Sequence, residues 1–64
     1  MTYPSYYSIT KDQQMALFDK LVEMGLEPLE LPHYKPKSNK SLFLWPDDVT
    51  KNKADRIVSD LLHP

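Results

Sequence analysis

Only one glycine occurs among the 64 residues, and its position dictates where a helix must stop. Gly25 follows the run 11–24, in which Leu17, Phe18, Leu21 and Val22 recur at helical spacing and form one apolar stripe. Helices commonly end on a residue in the left-handed conformation, which glycine adopts without strain. Leu26 can then fold back onto Leu21, the apolar contact of a Schellman stop, and Pro28 blocks continuation. At the other end, the Thr10 hydroxyl can accept a first-turn amide while Gln13 reaches back, which makes a capping box. Asp12 suits the positive end of the helix dipole. The sequence therefore predicts a first helix over 11–24.

A second helix is predicted over 50–62. Ala54, Ile57, Val58, Leu61 and Leu62 follow the i, i+3, i+4, i+7, i+8 pattern, and Lys51, Lys53, Asp55, Arg56 and Asp60 are expected to face water. Thr50 can cap it, with Val49 and Ala54 as a hydrophobic staple; Asp47 or Asp48 could cap an earlier start.

The stretch between the helices alternates like a strand in Leu29-Glu30-Leu31 and again in Ser41-Leu42-Phe43-Leu44-Trp45. A β-hairpin over 29–45 follows, with a polar connection at 35–40. Pro28 and Pro32 mark its first arm as an edge strand, since proline cannot donate to a ladder. Residues 1–9 form an extended segment that can add a short strand through Tyr6-Tyr7-Ser8-Ile9. The expected fold is a single small α+β domain over 1–64. Two amphipathic helices pack on one face of the hairpin, in the order (β)-α-β-β-α. The alternative is a helical hairpin with an irregular proline-rich connection.

Composition narrows the function classes. With no cysteine and two histidines far apart, neither a disulfide nor a zinc site is expected, and no cofactor or metal is assigned. A net charge of −1 gives no global pull toward nucleic acid or anionic lipid. The longest apolar run, Leu42 to Trp45, is too short to span a bilayer, and the first residues lack the pattern of a secretory signal. The expectation is a cytoplasmic protein with no membrane association. A core this small supplies net stability of roughly 3–5 kcal/mol, so homodimerisation, or stabilisation by a bound partner, would be a gain.

The most suggestive segment is 33–45. Lys35, Lys37 and Lys40 gather there without an acid, flanked by Tyr34 and Trp45. If Leu42 and Leu44 face the helices, Phe43 and Trp45 point to the other side of the sheet. Tyr34, Lys35, Lys37, Lys40, Phe43 and Trp45 then form a partner-binding surface, since exposed aromatic rings are favoured interface anchors. The plainer reading makes the lysines a solubilising hairpin tip and buries the rings under residues 1–9. A register shift of one residue reverses these assignments. Asp47-Asp48 is better explained by helix capping than by metal binding. One glycine and no cysteine leave no phosphate loop and no thiol nucleophile, and nothing in the sequence points to catalysis. The expected function is a non-catalytic protein-interaction module, an accessory, regulatory or inhibitory binder of a larger protein. Weak nucleic-acid binding through the basic-aromatic loop is the alternative.

Overall fold

A computed structural model describes residues 2–63. The elements are β1 (Tyr3–Ser8), α1 (Lys11–Glu23), β2 (His33–Lys35), β3 (Lys40–Trp45) and α2 (Asp48–Leu62). The strands form one antiparallel sheet in the order β1-β3-β2. The β-α-β-β-α order and the α+β class match the expectation, and the N-terminal segment is a full strand.

α1 carries the predicted stop and start signals. Thr10 accepts from the Gln13 amide at 3.2 Å, and the Gln13 side chain accepts from the Thr10 amide at 2.9 Å. At the far end the helix closes at Glu23, with Met24 as its cap. Gly25 sits at φ 81°, its amide donates to the Val22 carbonyl, and the Leu26 amide donates back to the Leu21 carbonyl at 2.8 Å. Both bonds of a Schellman stop are present.

α2 begins two residues before the expected Thr50 cap. Pro46 ends β3, and Asp47 takes the extended conformation of an N-cap and accepts from the Thr50 amide at 2.7 Å. Thr50 is thereby inside the first turn. That hydrogen bond holds the Asp47 carboxyl below its ordinary pKa.

The first arm of the hairpin also moves. Leu29-Glu30-Leu31 is not a strand; its backbone meets the sheet through the Leu29 amide, which donates to the Leu44 carbonyl at 2.8 Å. β2 lies between Pro32 and Pro36, and these two prolines confine it to three residues. Pro36 opens a turn closed by the Ser38 amide on the Lys35 carbonyl, and Asn39 completes it at φ 49°.

The register reverses the expected faces of β3. Phe43 and Trp45 are fully buried beneath the helices, whereas Leu42 and Leu44 are half-buried on the opposite face. The larger side chains take the core position, and the whole sheet follows. Ser5 and Tyr7 of β1 lie opposite Phe43 and Ser41 and share their inward face. The inner layer is Tyr7, Ile9, Phe43 and Trp45, covered by Leu17 and Leu21 of α1 and Ala54 and Val58 of α2. The rings form a chain, with Tyr7 and Phe43 centroids 5.2 Å apart and Phe43 and Trp45 stacked at 5.8 Å.

Two stability predictions follow from this layout. Trp45→Ala removes a side chain of this size at a cost of about 3–5 kcal/mol, comparable to the entire net stability of such a domain, so circular dichroism should show an unfolded chain at room temperature. Gly25→Ala should cost about 1–2 kcal/mol through its left-handed backbone alone, because an added Cβ meets no atom within 4 Å. D-alanine at the same position should show no such loss in urea denaturation.

Candidate functional site

Each face of the sheet has its own chemistry. The inward rows are Tyr3 with Trp45, Ser5 with Phe43, and Tyr7 with Ser41 and Tyr34. The outward rows are Pro4 with Leu44, Tyr6 with Leu42 and His33, and Ser8 with Lys40 and Lys35. Both helices pack on the inward side, so the outward face lies open. Tyr6 is its most prominent group, 58% exposed. The Lys35 ammonium lies 5.9 Å from the centre of the Tyr6 ring, within cation–π range.

The expected site residues divide between the two sides. Lys35, Lys37 and Lys40 are exposed at the hairpin end. Tyr34 is half-buried, and its hydroxyl donates to the Asn39 side chain at 2.8 Å, which braces the turn. Phe43 and Trp45 have no exposed surface and cannot touch a partner in the folded chain. Their place on the surface is taken by Tyr6, Leu42 and Leu44. The signal for Tyr6 was present in β1: Ser5, Tyr7 and Ile9 alternate with Pro4, Tyr6 and Ser8. It becomes readable only once Tyr7 is known to point inward.

The hairpin carries an electrostatic conflict. Lys35 pairs directly across the ladder with Lys40. Like charges directly opposite each other destabilise a sheet. Among the described residues, neither these two lysines nor Lys37 forms a salt bridge. Near the loop, the His33 imidazole and the Glu30 carboxylate are in hydrogen-bond contact at 2.7 Å.

A second polar group, unforeseen from the sequence, lies between β1 and α2. One Asp55 oxygen accepts from the Ser5 hydroxyl at 2.9 Å and from the Tyr7 hydroxyl at 2.6 Å; the other accepts from the Lys51 ammonium at 2.7 Å. Asp55 was expected to face water; instead it turns toward the sheet, because three donors await it there. Burial alone would raise its pKa, but the hydrogen bonds from Lys51, Tyr7 and Ser5 outweigh burial and hold it below the ordinary carboxylate value. Tyr7 is pushed well above the ordinary tyrosine value, first by burial and then by its bond to Asp55. A weakened base beside a weakened acid is poorly suited to proton transfer at neutral pH. The cluster serves as a tie between strand and helix. Among the described residues, no three histidine or carboxylate side chains converge as metal ligands, and no helix is long and apolar enough to cross a membrane.

No known protein family matches this chain, and neither a curated protein nor a solved structure matches it.

The tie has a pH signature. Asp55 has a depressed folded pKa, so its contribution is present above the unfolded value and is lost as pH falls through the folded one, below about 4. Tyr7 has a raised folded pKa, so its contribution is intact below the unfolded value of about 10 and declines as pH rises past it. Urea denaturation followed from acid to alkaline pH should show both flanks. Asp55→Asn should flatten part of the acid flank, and Tyr7→Phe the alkaline one.

Proposed function

We propose that this chain is a small non-catalytic interaction module that docks the acidic surface of a larger protein on its open sheet face. Tyr6, Leu42 and Leu44 would supply the apolar contact, and Lys35, Lys37 and Lys40 the charge. The observation that carries this reading is the directly opposed Lys35–Lys40 pair, with no carboxylate partner among the described residues, beside an exposed ring. A sequence that breaks a local rule without internal compensation commonly does so at a functional site. An anionic partner would relieve the repulsion, and Tyr6 is the kind of amphipathic ring that anchors interfaces.

Single-stranded nucleic acid is the second reading. It is favoured by the same ring among lysines, since bases can stack on an exposed aromatic on a sheet. Three lysines neutralise few phosphates, so such binding would be weak and would fade steeply with salt.

Capture from a host lysate, with and without nuclease, separates the two readings. A defined protein retained after nuclease supports the first. Capture lost with nuclease replaces it with the second. Against an isolated protein partner, Tyr6→Ala should weaken binding by about tenfold or more, while a thermal melt shows the fold intact. The lysine conflict gives an opposed pair of effects. Lys40→Glu should raise folding stability by about 0.2–1 kcal/mol, by turning a repulsive cross-strand pair into an attractive one, and should weaken partner binding. A variant that binds as well as the wild type would remove the hairpin from the interface.

A further inference from the structure

The sheet has two outer edges, and they are built differently. β2 has three residues, lies between two prolines, and carries His33 and Lys35. Shortness, proline and lysine are the features that stop a foreign strand from adding to an edge. β1 has six residues and no charged side chain, with Pro4 as its only guard. Its outer edge faces a trough whose far wall is α2. Tyr6 and Ser8 line the strand side, and Lys51, Asp55, Ser59 and His63 the helix side.

We propose that two copies of this chain join along β1, antiparallel about a two-fold axis, and merge their three-stranded sheets into one. Residues directly opposite in such a sheet share a face, so outward residues must meet outward residues. An axis at Tyr6 sets that ring against its own copy and places Pro4 of each chain opposite Ser8 of the other. The match extends to the helices. α2 runs alongside β1 in the same sense, with Lys51 near Pro4 and with Ser59 and His63 near Ser8. Antiparallel strands therefore bring antiparallel helices. Lys51 of each copy, whose ammonium also holds its own Asp55 at 2.7 Å, meets the C-terminal end of the other α2, whose last turn has no basic side chain of its own. A cation there meets the negative end of the helix dipole. The contact is self-complementary, and the guarded β2 edges close it at two copies rather than allowing a fibre. A second copy is thus favoured over an unrelated strand. The pairing does not depend on the acidic-partner reading.

Sedimentation equilibrium on the purified chain should give a dimer that dissociates on dilution. The P4K/S8K variant places lysines opposite each other across the axis and should be monomeric, as should P4E/S8E. An equimolar mixture of the two should reassociate, a rescue that a general loss of fold would not give. Both positions are exposed, and circular dichroism checks that the variants fold. K35A/K37A/K40A should still dimerise, which separates failure of this proposal from failure of the other. A wild type that is monomeric at every concentration overturns the pairing, as do charged variants that stay dimeric or a mixture that stays apart. If the charged variants unfold, isotope-filtered NMR of the mixed labelled and unlabelled wild type decides: contacts between Tyr6 rings of different copies support the pairing, and their absence overturns it.

Discussion

Asp55 holds the two ends of the chain together. Its carboxylate gathers hydroxyl donors from Ser5 and Tyr7, which are 50 and 48 residues away in sequence, and a third donor from Lys51 one helical turn before it. Charge-assisted bonds of this kind are stronger than neutral ones, and they are directional. They seat α2 across β1 and the central strand β3. That placement brings Ala54 and Val58 onto Phe43 and Trp45, which completes the core. It also leaves the trough along the outer edge of β1. One polar contact thus governs both the packing inside and the shape outside.

The core and the open face are linked by the pleat. Because successive side chains alternate, burying Phe43 and Trp45 forces Leu42 and Leu44 outward, and through the register it forces Tyr6 outward as well. The same alternation carries Lys35 and Lys40 to the outer face at the hairpin end. A one-residue slip of β3 would exchange both of its faces at once and would change what its neighbours on β1 and β2 must do. The apolar and cationic character of the open face is therefore a consequence of how the core is filled.

The helices were legible in the sequence because their signals are local. A capping box, a lone glycine and a periodic stripe each act within a few residues, and no distant contact can mimic them. The start of α2 was less legible, since Asp47, Asp48 and Thr50 are all good caps and the choice rests on where Pro46 ends the strand. The faces of β3 were not legible at all. Leucines alternate there with aromatics, so both faces are apolar, and hydrophobic pattern alone cannot choose between them. Only the volume available beneath two helices decides, and that is a property of the assembled layers. The partner-binding role given to Phe43 and Trp45 fell with that choice, while the lysine cluster stayed on the surface. Asp55 was missed for a related reason. It occupies the polar side of a helical wheel, and nothing within a turn of it announces that Ser5 and Tyr7 will arrive from the other end of the chain.

What distinguishes this domain is where it tolerates unfavourable local chemistry. A chain with so small a core has little stability to spare, yet it opposes two lysines across a hairpin and leaves a long uncharged strand edge unpaired. Both are features that a sequence optimised only for folding would remove, one by a single charge reversal and the other by a single edge lysine. They sit at opposite edges of the same sheet. Tyr6 belongs to both, standing on β1 itself and approached across the sheet by Lys35. The cationic hairpin is complete within one chain, and on the proposed reading an anionic partner would resolve its conflict. The uncharged edge is incomplete within one chain and is satisfied by backbone donors and acceptors. The two surfaces therefore call for different partners, and a sheet extended through β1 would present two cationic hairpins at its outer ends to a partner spanning its open face.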